Sequence, residues 1–337
     1  MSDKSKIEWT QSDDGTPGAT WNPVTGCTKV SPGCDHCYAE TFAERWRGTP
    51  GHHFENGFDV TLRPERLEQP LRWKRPRRIF TNSMSDLFHE AVPDDYIAQV
   101  FAVMGAARQH TFQLLTKRHA RMRSLLSSAD FAQTVTTGEG ATMRAHGQAG
   151  IVPAATWPLP NVWLGVSVED RKWADIRIHA LLDTPAVTRF LSCEPLLGPL
   201  NIWHLLDPSM PCVDCDVCGD ERFEDEIGNG HDRLIYDEQE RESETWCPGP
   251  SAGTLPRRID WVIAGGESGP GARPCDLEWL RQIRDHCHHA EVPFFLKQLG
   301  SVLGRSLGAG PKGGDWDAWP EDLRVREFPA TREAIPA

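Results

Sequence analysis

The sequence predicts an α/β protein built as a full or partial (βα) barrel. Three observations lead there. Short apolar runs rich in β-formers recur along the chain, each ending in polar or glycine-containing residues. Helix-like stretches with start signals lie between them. About six or seven such units fit into the 337 residues. Strands buried on both faces and alternating with helices indicate a parallel sheet, and this number of units favours a barrel over an open doubly wound sheet.

In chain order the strand-bearing runs are "RRIFTNSMSDLF" (77–88), "TFQLLTKR" (111–118), "NVWLGVSVED" (161–170), "VTRFLSCEP" (187–195), "IDWVIAGGESG" (259–269) and "VPFFLKQLG" (292–300). Helices are expected at 94–109, where Pro93 and Asp94 mark the start, and at 119–127. Two more are expected at 170–182, opened by Asp170, and at 276–289, capped by Asp276. The barrel is assigned to 19–202 and 256–300, between an N-terminal tail (1–18) and a Gly- and Pro-rich surface tail (301–337). Within it, 128–158 is rich in Gly, Ala, Thr and Pro and reads as a flexible loop or lid. Residues 203–255 read as a small acidic, Cys-rich insertion that binds metal.

In a barrel the residues just past each strand gather at one mouth, where active sites sit. Here they are Asn82, Ser83 and Asp86; Thr116, Lys117 and Arg118; Ser167 and Glu169; Cys193 and Glu194; Gly265, Gly266, Glu267 and Ser268; and Lys297 and Gln298. Helix caps and turns account for some of these singly. Connectors alone would not need so polar a set.

Charge is unevenly placed. The formal net is −12, but residues 203–255 hold fourteen Asp and Glu against three Lys and Arg, a local −11, leaving the rest near −1. The stretch "LRWKRPRR" (71–78) has five basic residues in eight. A polyanion can therefore meet the main body while avoiding the acidic segment, for which a basic protein partner and screening of the active-site mouth are the two open roles. The start "MSDKSKIEWTQSDDG" does not resemble a signal peptide, and no run approaches the length of a membrane span, so a cytoplasmic protein without a membrane partner is expected.

Clustered cysteines in a chain of this kind point to metal rather than disulfides. "GCTKVSPGCDHCYAE" (26–40) places Cys27, Cys34 and Cys37 six and then two residues apart, just before a helix-like segment with Ala39, Phe42, Ala43 and Trp46 at helical spacing. Three thiolates are one short of a closed zinc site and suit a centre with an open position. A zinc site completed by His36, His52 or His53 is the plainer alternative, and a catalytic zinc with an activated water is another. The deaminase pattern is only half present, because no H-x-E lies upstream of "SPGCDHC".

This three-cysteine stretch resembles the signature of the radical S-adenosylmethionine (SAM) superfamily, with two residues between the second and third cysteines and His36 in the aromatic position. The first spacer is six residues where three is usual. Together with "TNSMSDLFHE" and "WVIAGGESGPGARP", the pattern is similar to a phage and prophage three-cysteine family distantly resembling spore photoproduct lyase. The likeness covers most of 7–126 and 159–300. It implies a barrel of radical SAM type carrying a [4Fe–4S] cluster on Cys27, Cys34 and Cys37, and an external electron donor. The cluster would cleave SAM reductively to a 5′-deoxyadenosyl radical. By position it implies SAM contacts from His36 and Tyr38, from Asn82, Ser83 and Asp86 near the methionyl amino group, and from Ser167 and Glu169 near the ribose. Gly265, Gly266 and Glu267 would lie near the adenosyl group. Lys117, Arg118, Cys193, Glu194 and Lys297 remain as catalytic or substrate-binding candidates. A nucleic-acid base or lesion is the substrate that the family implies, in DNA modification or repair. The basic stretch 71–78 and Trp21, Trp46, Trp73 and Trp163 are residue types that track phosphates and stack bases. A solvated helix end and core tryptophans are the plainer reading, and a small metabolite is the alternative substrate. The competing classes are a zinc-dependent hydrolase or deaminase and a non-catalytic zinc-bearing nucleic-acid binder.

In the insertion, "CVDCDVCGD" and "ETWCPGP" supply Cys212, Cys215, Cys218 and Cys247, four thiolates able to close a tetrahedral zinc, with His231 as a possible substitute. A segment so poor in apolar residues needs such a staple to fold. An auxiliary iron–sulfur cluster is the alternative.

Overall fold

The computed structural model describes residues 4–12, 15–137, 156–206 and 258–330, and the backbone of 231–236 and 242–247. Eleven strands are present among them: β1 (Ala19–Trp21), β2 (Val24–Thr25), β3 (Thr61–Leu62), β4 (Arg78–Thr81), β5 (Thr111–Thr116), β6 (Val162–Ser167), β7 (Thr188–Cys193), β8 (His231–Tyr236), β9 (Glu242–Cys247), β10 (Trp261–Gly265) and β11 (Phe294–Gln298). The helices are α1 (Tyr38–Glu44), α2 (Asp94–Ala106), α3 (His119–Leu126), α4 (Ala129–Thr137), α5 (Arg171–Leu182), α6 (Trp203–Leu206), α7 (Leu277–His289) and α8 (Ser301–Ser306).

Seven strands form one parallel sheet in the order β1-β4-β5-β6-β7-β10-β11. The order never reverses, so right-handed crossovers lay their helices on one face, as in a barrel and unlike a doubly wound sheet. Strands β1 and β11 are its two edges and are not paired with each other. The expected α/β class with a parallel sheet is therefore present, as a curled, half-open barrel.

The curl is visible in the packing around one residue. In a flat sheet β4 and β10, four steps apart, would lie about 19 Å from each other. Yet the Trp9 ring lies 4.7 Å from that of Phe80 on β4 and 6.3 Å from that of Trp261 on β10. Strand alternation sorts the two faces. Phe80, Trp163, Phe190, Trp261, Ile263 and Phe295 point into the concave side around Trp9. Ile79, Leu114, Leu164, Leu191, Val262 and Leu296 point outward, into a larger core with the helices. Gly165 belongs to this fit, because a methyl group there would sit 2.5 Å from the Phe190 ring.

Helices α2, α3, α5 and α7 fall within a few residues of the stretches predicted for them. Asp170 and Asp276 cap α5 and α7, accepting hydrogen bonds from the amides of Trp173 (3.1 Å) and Glu278 (3.0 Å). Three segments differ from expectation. The flexible loop expected at 128–158 begins with α4, whose Phe131 is buried edge-on against Phe101 of α2 (5.6 Å) and near Trp157 (5.7 Å). The stretch between α4 and Trp157 lies largely outside the described residues. The expected N-terminal tail supplies Trp9, the centre of the concave core. The expected C-terminal surface tail is packed down, with Trp319 and Leu323 buried and Arg326 bridged to the edge of β11 at Phe295. Isolated aromatic anchors hold both ends where continuous apolar runs are lacking.

Within the insertion, β8 and β9 form an antiparallel pair, His231 opposite Cys247. Cys212, Cys215 and Cys218 lie outside the described residues, and only the backbone is described at Cys247 and His231. No described helix is long and apolar enough to cross a membrane.

Candidate active site at the mouth of the curled sheet

Cys27, Cys34 and Cys37 are free thiols, each half-buried, on one loop that spans the C-terminal ends of the strands. Cys27 and Cys37 border a small apolar cluster of Ala39, Ala43, Phe54 and Phe58. Burial, reinforced by the nearby Asp86 carboxylate, raises the Cys27 thiol to about 11, against the opposing pull of Arg118.

The loop is fastened to four strand ends. After β6, the amide of Gly33 donates to Glu169 (3.3 Å), a fully buried carboxylate that also takes Arg177 Nη1 at 2.7 Å. A methyl group on Gly33 would meet the Glu169 carboxyl carbon at 3.1 Å and Lys117 Cε at 3.3 Å, so a larger residue would need these side chains to give by a few tenths of an ångström. After β5, Arg118 donates to the carbonyl and hydroxyl oxygens of Thr28 (3.1 and 2.7 Å) and lies 3.9 Å from the Cys27 sulfur. After β10, Glu267 is within 3.0 Å of His36 Nδ1 and accepts from the Arg273 amide and guanidinium. Arg273 in turn reaches Asp35 (3.1 Å) and the Pro32 carbonyl (2.9 Å). Burial alone would raise the Glu267 carboxyl, but the hydrogen bonds from Arg273 and His36 outweigh it and hold it at about 2. After β4, the Ser83 carbonyl accepts from the Tyr38 hydroxyl.

The other expected residues divide by the side they face. Asn82, in the left-handed region at φ 62°, is buried, and neither its amide nitrogen nor its amide oxygen has a hydrogen-bond partner. Such an orphaned buried amide is costly unless something binds it. The Ser83 hydroxyl exchanges hydrogen bonds with the side chain of Asn22. Asp86 is already saturated by the Thr116 hydroxyl and the amides of Lys117 and Phe88. Ser167 donates to the Glu194 carbonyl (3.3 Å), and the Glu194 carboxylate takes both Lys297 Nζ (2.7 Å) and Gln298 Nε2 (3.1 Å). Gly266 is required by the fold, because a methyl group there would sit 2.3 Å from the Leu299 carbonyl oxygen; at Gly265 the closest approach is 3.2 Å, to the Gln298 carbonyl oxygen. Cys193 does not reach the mouth. The parity of β7 turns it into the helix-side core, where it is buried and its thiol is pushed up.

Sequence reasoning missed Gly33, Thr28, Arg177 and Arg273. Arg177 had a legible signal, lying eight residues after Glu169 and within α5, about two helical turns on.

The donor set can be compared with the two metal types expected. A tetrahedral zinc gathers its sulfurs about 3.8 Å apart. Among the described residues no group of three or more His, Cys, Asp or Glu side chains is gathered so as to hold a metal ion. The histidines proposed to complete such a site are engaged elsewhere. His36 faces Glu267, His52 stacks on Trp46 at 4.2 Å, and His53 takes the Arg66 guanidinium at 3.1 Å. The three thiols thus share one loop, with none of these three histidines turned toward them.

Fold and site together define an α/β protein with a three-thiol loop fastened over the C-terminal mouth of a curled parallel sheet. The chain belongs to a family of proteins of unknown function (DUF5131), whose model matches residues 4–320. No curated protein and no solved structure matches it.

Proposed function

We propose that this chain is a radical SAM enzyme, with Cys27, Cys34 and Cys37 as the ligands of a [4Fe–4S] cluster. The observation that carries the reading is the fastening of the three-thiol loop to Glu169, Arg118, Glu267 and Ser83, which puts the thiols beside the polar strand ends. When bound, the cluster supplies one electron for reductive cleavage of SAM.

The chain's own residues do the positioning. Arg177 holds Glu169, and Glu169 holds the Gly33 amide, so the turn before Cys34 is fixed from the buried side. Arg118 places a positive charge beside the Cys27 sulfur, favouring the thiolate that a metal requires. The unpartnered Asn82 amide is suited to a polar ligand atom such as an ammonium or carboxylate. Glu194 and Lys297 present an acceptor beside a donor on the β7–β11 side, suited to orienting a polar substrate. A nucleic-acid base or lesion is the substrate class of this reading.

Anaerobic reconstitution with iron and sulfide tests it. The expected result is brown protein with visible iron–sulfur absorption and reductant-dependent formation of 5′-deoxyadenosine from SAM, both lost in Cys27→Ala. Colourless protein that takes up zinc alone, or a Cys27→Ala variant that keeps both properties, overturns it.

A further inference from the structure

The basic stretch 71–78 leads into the N-terminal end of β4, so it lies at the pole opposite the cysteine loop. Strand β5 alone, at six residues, separates the two poles by about 20 Å. Other cations reach the same pole. Lys6 sits beside the start of β1, where the Ser5 amide donates to the Gly18 carbonyl, and Arg108 lies just before β5. Lys6, Arg72, Lys74, Arg75 and Arg108 are exposed and Arg77 is half-buried. The carboxylates closest to them along the chain are Glu8 and Glu68, the latter 3.7 Å from Arg72.

The backbone beneath this patch is fixed. Gln109 donates to the Trp73 carbonyl, His110 contacts the Pro70 carbonyl, and the Thr111 amide donates to Arg77. The Trp73 ring is taken up by Arg77 (5.2 Å) and the edge of His110 (6.1 Å), and it packs against the core. It is therefore no platform for an unpaired base. Trp21 and Trp163, two other tryptophans able in principle to stack bases, are buried.

We propose that this pole binds the phosphate backbone of duplex nucleic acid without reading its sequence. Exposed guanidinium and ammonium groups on an anchored backbone, without an aromatic platform, are suited to phosphates and not to base edges. The site is independent of the cluster at the mouth, and it anchors the polyanion on the far side of the sheet.

The test is fluorescence anisotropy of the full chain with a labelled DNA duplex of about 20 base pairs, between about 50 and 200 mM salt. Affinity is expected to be the same for unrelated sequences and to fall steeply with salt. In Lys74→Ala/Arg75→Ala the log–log salt slope should shrink by about 2, with at least about a tenfold loss of affinity at low salt and unchanged thermal melting. Cys27→Ala protein should bind as the wild type does, which separates this proposal from the proposed radical chemistry. Absence of binding at the lowest salt, or a slope that the double variant leaves unmoved, overturns the proposal. So does a double variant whose only change is lost self-association in sedimentation, which would assign the patch to the acidic segment of a second copy.

Discussion

Glu267 joins the loop after β10 to the cysteine loop through a single carboxylate, shared between Arg273 and His36. The folded group titrates at about 2, whereas an unfolded chain's titrates near 4.5. The stabilisation is thus fully present above about pH 4.5 and is lost as pH falls toward 2, on the order of 3 kcal/mol. Glu267→Gln should lower the urea midpoint clearly at pH 6 and much less at pH 3. An equal difference at both values would mean that the attachment is not electrostatic. At this scale the sequence was partly legible. Glu267 stood out because it follows a strand and two glycines, and the thiols stood out by spacing. Its partner Arg273 did not, because nothing in "GPGARP" says which way a guanidinium will turn. The inward or outward sense of Cys193 depended on strand parity, and an error of one residue in register reverses it.

Among the elements, those with both a cap and a period were the readable ones. Helix α5 begins where Asp170 accepts the Trp173 amide, and α7 where Asp276 accepts that of Glu278. Replacing Asp170 with Ala removes one such acceptor and should cost about 1 kcal/mol in chemical denaturation. Strand β1 was missed because three residues, Ala19–Trp21, carry too few alternations to register as a period. Helix α4 was hidden by the composition of the residues that follow it, although Phe131 and Val135 already stand one turn apart and both are buried. The segment after β11 shows the same effect. Its glycines and prolines read as a tail, yet Trp319 donates to the Gly313 carbonyl, and Arg326 lies over the rings of Phe295, Trp316 and Trp319.

For the whole molecule, the alternation of strands and helices predicted a parallel sheet with its helices outside. It did not predict how far the sheet curls, because the concave side is filled by Trp9, a residue distant in sequence from the strand rings it meets. Trp9→Ala should remove about 3–5 kcal/mol, measured by denaturant titration, since it empties the space between β4, β7 and β10. A loss under about 1 kcal/mol would show that the strands hold their curvature without it. The concave core is closed from both directions along the chain. Phe328 packs on Trp261 (5.6 Å), on Phe295 (5.3 Å) and under the Arg78 guanidinium (4.5 Å), in the same cluster that Trp9 fills. A ribosome that has delivered Trp9 must add some three hundred further residues before Phe328 emerges. Trp261 and Phe295 are themselves late in that count, so the concave side gains its last aromatic cover only thirty-three residues after Phe295 is made.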